Sequence, residues 1–185
     1  MARPPISKKK KAKMAANFIL KSNILALDMA EHTGVYSQQF KGVWHFPKTG
    51  KQPKSYGTDY QRETYFVNKV ADFIRANDIK IVIAEDLLWS DRSYKANEQL
   101  SFYHWGLVLA CQICGIREPY FVKPRDLKYF ATRKPFAEKK DMIEACIKNR
   151  WNTNPVDNNE ADATCLYFYA LHYLPKRGIN INFQK

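Results

Sequence analysis

Ile24-Leu25-Ala26-Leu27-Asp28-Met29 is a short aliphatic run with a carboxylate set at its carboxyl end. A continuous apolar run of this length reads as an interior strand, covered on both faces. Thr33-Gly34 is expected to turn the chain into two further strands, Val35–Phe40 and Val43–Phe46. Pro47–Gly57, with two glycines and two prolines, reads as a loop. From Asp59 a helix is predicted, with Phe66, Val70, Phe73 and Ile74 inward and Lys69, Asp72 and Arg75 outward. Asp78 ends it, and Ile79–Ala84 is a second continuous apolar strand that closes in Glu85-Asp86.

Outward from that pair, Lys95–Cys114 is predicted as a helix apolar on two faces. Leu100, Leu107, Val108 and Cys111 form one face, and Phe102, Trp105, Leu109 and Ile113 the other. Such a helix needs cover on both sides, either in the middle of the domain or against a second subunit. Tyr120–Val122 is a strand stopped by Pro124. A helix over Glu138–Asn149 turns Met142, Ile143, Cys146 and Ile147 inward, and Asp157–Leu174 makes the last helix after Pro155. The order β-β-β-α-β-α-β-α-α belongs to an α/β fold, a mixed sheet flanked by helices.

The chain has 185 residues, enough for one domain with a real core. Apolar residues at 45% and charged residues at 26% exclude a disordered chain. Thirty Lys and Arg against eighteen Asp and Glu leave a net charge of +12, a field that attracts polyanions such as nucleic acid. Residues 1–22 hold Arg3, Lys8, Lys9, Lys10, Lys11, Lys13 and Lys21 without an acid, +7 in all, leaving +5 for residues 23–185. With Pro4, Pro5 and no apolar period, 1–22 reads as a mobile basic arm that adds salt-sensitive, sequence-independent affinity for phosphates; 23–185 reads as the folded domain. No run approaches the length of a membrane helix, and no apolar stretch follows the N-terminal lysines as in a signal peptide. A reducing cytoplasm is therefore expected, with Cys111, Cys114, Cys146 and Cys165 as free thiols. The Cys111–Cys114 CxxC has no second ligand pair and lies in an apolar helical run, so it reads as core rather than zinc or redox chemistry. No organic cofactor is expected.

Three acids stand where acids are costly. Asp28 and Glu85 end apolar strands, and open α/β sheets gather their chemistry outside such ends. Asp162 lies among Ala161, Ala163 and Leu166 in the first turns of the last helix. Singly, each has an ordinary role, as a turn residue or a partner of the helix dipole. Converging, they would repel one another and lose hydration, and so either take up protons or bind cations. Hard oxygen donors suit Mg²⁺, with Mn²⁺ as a substitute. Two ions roughly 4 Å apart would serve phosphodiester hydrolysis.

The segment Ile24-Leu-Ala-Leu-Asp28-Met-Ala-Glu-His-Thr-Gly34 resembles the first motif of RuvC-like nucleases, Ile81-Val-Ile-Ala-Glu85 their second acidic strand, and Glu160-Ala-Asp162-Ala163 their closing helical motif. Gly106 falls where that family keeps a glycine in its long helix. Pro124–Lys140 resembles its basic segment, with Lys128 and Lys139 at the separation of its two active-site lysines. The resemblance runs from about Asn23 to Tyr173 and extends to phage-type members of the family. It implies a ribonuclease-H-like five-stranded mixed sheet flanked by helices, a homodimer, two divalent ions per site, and paired nicking of four-way (Holliday) DNA junctions. A bacterial or phage-infected cell is the setting it implies.

Two features depart from that pattern. The family places an acid or His three residues before its last Asp, and here that residue is Asn159. Asn159 shares a helix face with Asp162, whereas Glu160 points nearly opposite. The fourth ligand is thus open between Asn159, Asp157 and Glu160. The glycine-bearing loop between the lysines is replaced by Thr132-Arg-Lys-Pro-Phe136, in which Arg133 and Lys134 suit phosphate contact, as does Lys140. Lys128 and Lys139 suit positioning of the scissile phosphate. Trp89, close behind Glu85, is a candidate to stack on an opened base or else an ordinary core ring. His32, His45, His104 and His172 form no ligand pattern, and His32 reads as a turn residue. The expected function is a metal-dependent endodeoxyribonuclease that resolves four-way junctions through a homodimer joined by helix 95–114. The rivals are a less selective branched-DNA or RNA nuclease and a non-catalytic nucleic-acid-binding protein on the same fold.

Overall fold

A computed structural model of the chain describes residues 19–46, 59–86 and 94–182. Its elements are β1 (Ile19–Leu20), β2 (Ile24–Asp28), β3 (His32–Tyr36), β4 (Lys41–His45), α1 (Asp59–Ala76), β5 (Ile81–Glu85), α2 (Tyr94–Ile113), β6 (Tyr120–Val122), α3 (Pro124–Thr132), α4 (Lys139–Lys148), α5 (Asn158–Tyr173) and β7 (Ile181–Asn182). Five strands form a mixed sheet in the order β4-β3-β2-β5-β6. The β2–β3 and β3–β4 pairs are antiparallel, and β2–β5 and β5–β6 are parallel. This is the mixed α/β sheet that the order of elements predicts, with the five strands and flanking helices that the family resemblance implies.

Strand parity sorts the core into two layers. Leu25, Leu27, Val82 and Ala84 face α1 and α2, packing with Phe66, Val70, Tyr103 and Leu107. Ile24, Ala26, Ile81 and Ile83 face α5, packing with Ala161, Cys165, Leu166 and Ala170. Both faces of β2 and β5 are covered, and their first four residues are buried without exception. That is why these strands are apolar at every position rather than at alternate ones.

Several expectations need correction. Thr33 and Gly34 lie inside β3 rather than in a turn. The reversal comes earlier, where Thr33 Oγ1 donates to the Ala30 carbonyl at 2.6 Å. The next turn falls at Ser37–Phe40, where Ser37 N–H donates to Phe40 O at 2.7 Å and Ser37 Oγ accepts from Phe40 N–H at 3.0 Å. A local hydroxyl acceptor thus outcompetes continuation of the strand to Phe40. Pro124 does not merely stop β6: it opens α3 at its first position, where a missing N–H costs nothing. Lys69 is half-buried rather than fully outward, its ammonium lying 5.3 Å from the Trp44 ring and 5.5 Å from that of Tyr65. Ile19 and Leu20, at the end of the basic segment, pair in parallel with Ile181 and Asn182, and Tyr167 Oη donates to Lys21 O at 3.2 Å. Residues 1–18, which include Lys8, Lys9, Lys10 and Lys11, lie outside the described residues, as do the Pro47–Gly57 loop and Trp89. All four cysteines are free, three of them buried.

Among the described residues, the doubly apolar helix, α2, is covered on one side only. Tyr103, Leu107, Ala110 and Cys111 are buried, whereas Trp105 is 66% exposed and Leu109 and Ile113 are each 49% exposed. Among the described residues no helix is long and apolar enough to cross a membrane.

Candidate active site

Parity also places the acids. Asp28 continues the Ile24–Ala26 face of β2, and Glu85 continues the Ile81–Ile83 face of β5, so both point to the side that α5 covers. The register pairs Leu27 with Ala84, which leaves Asp28 and Glu85 as the next neighbours at the ends of adjacent parallel strands. Asp28 pairs with Gly34 on its other side.

Gly34 brings α5 down onto this spot. A methyl group added at Gly34 would fall inside the backbone carbonyl of Asn159, so no other residue permits this approach. With the first turn of α5 seated on β3, Asp162 comes one turn further along, above Asp28. Ala161 and Ala163 are fully buried, and their small size keeps the helix close. The Thr-Gly pair read as a turn signal is therefore a packing signal.

The electrostatics record the convergence. Burial raises the Asp28 carboxyl well above the usual carboxylate range, and Asp162, Glu85 and Asp157 push it the same way, against Lys139. Burial also pushes Asp162 up to about 6; Lys128 and Lys139 oppose this, and Asp157 adds to it. Asp28, Glu85, Asp157 and Asp162 are thus electrostatic neighbours, with Lys128 and Lys139 facing them from α3 and α4. A carboxylate group in this state gains from any cation, protons included.

The three candidates for a fourth ligand are now distinguishable. Glu160 is 1% exposed and engaged: Oε1 accepts from Asn152 Nδ2 at 2.6 Å, and Oε2 from Val156 N–H at 3.1 Å. It closes the 152–156 loop and faces away from Asp162. Asp157 is the N-cap of α5, its Oδ1 accepting from Glu160 N–H at 2.9 Å. Asn159 donates from Nδ2 to the other Asp157 oxygen at 3.2 Å, while its Oδ1 accepts from Asn158 at 2.9 Å. Asn159 therefore orients the Asp157 carboxylate. An all-oxygen donor set of this kind matches Mg²⁺ or Mn²⁺ in chemistry. Among the described residues, no group of three or more His, Cys, Asp or Glu side chains is arranged to hold a metal ion.

The basic segment folds as the α3–α4 hairpin. Arg133 caps α3 in the left-handed region at φ 64°, the conformation that favours glycine, and Thr132 Oγ1 braces it by bonding Lys128 O at 2.8 Å and Lys134 N–H at 3.0 Å. Lys134 pairs with Asp141 at 3.1 Å and Lys140 with Glu138 at 3.1 Å. Both lysines remain exposed, so these surface pairs yield readily to phosphate. His32 opens β3, and its Nδ1 lies 2.7 Å from that of His45 across the hairpin.

By sequence, no protein-family model matches the chain, and no curated protein does. Among solved structures, Thermus thermophilus RuvC in complex with a Holliday junction substrate has a TM-score of 0.64 at 13% identity, over 85% of this chain and 97% of that one. A second Thermus thermophilus RuvC structure has a TM-score of 0.62 at 15% identity, over 84% and 96%. The yeast mitochondrial Holliday junction resolvase has a TM-score of 0.46 at 13% identity, over 87% and 84%. At such identities it is the fold that is shared, and it is shared over nearly the whole of the Thermus chains.

Proposed function

We propose that this chain is a metal-dependent endonuclease that cuts branched DNA, with four-way junctions as its substrate. The observation that carries the reading is the group of mutually repelling carboxylates around Asp28 and Asp162, held at the strand ends and flanked by Lys128 and Lys139. A fold shared with a protein solved in complex with a Holliday junction substrate favours that substrate over others.

Asp28, Glu85 and Asp162 would hold the divalent ions, with Asp157 as the fourth charge and Asn159 holding it in place. When bound, Mg²⁺ or Mn²⁺ supplies an activated water and neutralises the leaving oxygen. Lys128 and Lys139 draw the scissile phosphate to the carboxylates and offset the charge that builds on it. Arg133, Lys134 and Lys140 extend the contact along the strand backbone, where each phosphate neutralised adds salt-sensitive affinity. Paired cuts at a junction require two sites related by a two-fold axis, and the exposed Trp105–Leu109–Ile113 face of α2 is the surface we assign to that dimer.

Incubation with a labelled four-way junction and Mg²⁺ or Mn²⁺ tests the reading. Symmetrically placed nicks are expected, with Asp28→Asn reducing cutting at least about a thousandfold while sparing junction binding. Equal cutting of duplex, fork and junction would replace the junction assignment with a less selective nuclease. Junction binding without cutting at any metal concentration would leave a binding protein on a nuclease fold.

A further inference from the structure

Between Lys128 and Lys139 the chain carries a large apolar ring that the fold does not use: Phe136 is 80% exposed. Its surroundings are charged rather than apolar. The Arg125 guanidinium lies 5.4 Å from the centre of the Phe136 ring. Arg125 in turn stands one turn before Lys128 on the same face of α3. Lys139, three residues beyond Phe136, faces Asp162 as Lys128 does. The ring therefore lies in the loop between the two lysines that face Asp162, against an arginine on the same α3 face as Lys128.

The arrangement is repeated beside it. Tyr129, 53% exposed and on the turn after Arg125, carries the Arg133 guanidinium at 6.0 Å from its ring centre. Two exposed rings, each with an arginine against it, form one edge of the α3–α4 hairpin. Aromatic faces that alternate with guanidinium groups match a nucleic-acid strand, in which a base presents a π-face and the next phosphate a bidentate acceptor. The Pro135 ring before Phe136 and the Thr132 brace stiffen the loop, so little conformational freedom is lost on binding.

We propose that Phe136, supported by Arg125, stacks on an unpaired base of the DNA strand that enters the carboxylate site. The proposal rests on the nuclease reading above and adds the residue that holds the strand open. A base held on Phe136 would keep its neighbouring phosphate between Lys128 and Lys139. Base stacking of this kind corresponds to about a tenfold change in the step it supports.

The test is a four-way junction with 2-aminopurine substituted next to the cut, mixed with protein in EDTA so that no strand is cleaved. Wild type should change the 2-aminopurine fluorescence on binding. Phe136→Ala should bind the junction within a few-fold, lose that fluorescence change and, once Mg²⁺ is added, cut about tenfold more slowly. Phe136→Trp should retain both, and Arg125→Ala should weaken both. The ring is exposed, so each variant should melt at the wild-type temperature. A Phe136→Ala signal equal to wild type, or junction binding by wild type with no 2-aminopurine response, overturns the stacking role and leaves the nuclease reading standing. Absence of junction binding by wild type overturns both.

Discussion

Helices α2 and α5 are both apolar nearly all round, yet they end up in different places. α5 is enclosed: the sheet covers Ala161, Cys165 and Ala170, while Trp151, from the loop before it, stacks on Phe168 with ring centres 5.0 Å apart. α2 packs Tyr103, Leu107 and Cys111 inward and leaves Trp105, Leu109 and Ile113 in the open. The difference lies in residue size. Small side chains let α5 sink against β2 and β3, whereas α2 keeps its largest ring, Trp105, on the outside. A helix that is apolar on two faces needs two covers, and for α2 the described residues supply one. The buried helix carries the acid, and the half-covered helix carries the surface we assign to a second copy.

The largest effect expected from breaking this contrast is on the core of α5. Leu166→Ala should cost about 2–5 kcal/mol of unfolding free energy, as is usual for a fully buried leucine. Leu109→Glu on α2 should change the stability of the subunit by less than about 0.5 kcal/mol while shifting sedimentation from dimer to monomer. Comparable losses at the two positions in denaturant melts would mean that α2 is covered within the chain.

A smaller effect is expected where α5 meets β3. Gly34→Ala must push Asn159 away, at a cost of about 1–3 kcal/mol for an overpacked contact. Asp162 moves with its helix, so junction cutting should fall by far more than stability alone explains. Wild-type cutting by Gly34→Ala would show that the close approach does not position the site.

At the acid that α5 carries, the expected effect is a gain. Asp162 holds its proton up to about pH 6, above the ordinary Asp value of about 3.9. Between those values the folded chain binds more protons than the unfolded one, so stability falls as pH rises through this window and stays reduced above it. Asp28 shifts in the same direction. Asp162→Asn should therefore stabilise the metal-free protein at pH 7.5, on the order of 1 kcal/mol once solvent screening at this partly exposed group is allowed for. The gain should vanish near pH 4, where the wild-type carboxyl is protonated in the folded chain. Added Mn²⁺ should raise the melting temperature of wild type and leave that of the variant unchanged, since binding to the folded state alone stabilises it.

Much of this was legible in the chain because it depends on local period. Interior strands announce themselves as unbroken apolar runs, and parity from Ile24 and Ile81 then aims Asp28 and Glu85 at one face. The α3 helix was not legible, since Pro124 reads equally well as the end of a strand or the start of a helix. Thr33-Gly34 reads as a turn in the sequence, which does not show what lies above Gly34. Asp162 could be singled out only as an acid among alanines, and its partners came from strands far away in the chain.

The sequence by itself determined the two buried strands, the acids at their ends and the excess of positive charge, because each follows from residue type and short-range spacing. Only the tertiary structure decided that Glu160 turns into the core to hold Asn152, that Asn159 orients Asp157, and that one face of α2 stays uncovered. Those outcomes depend on which atoms from distant segments arrive within hydrogen-bonding or packing distance, and long-range contacts of that kind leave no period in the chain.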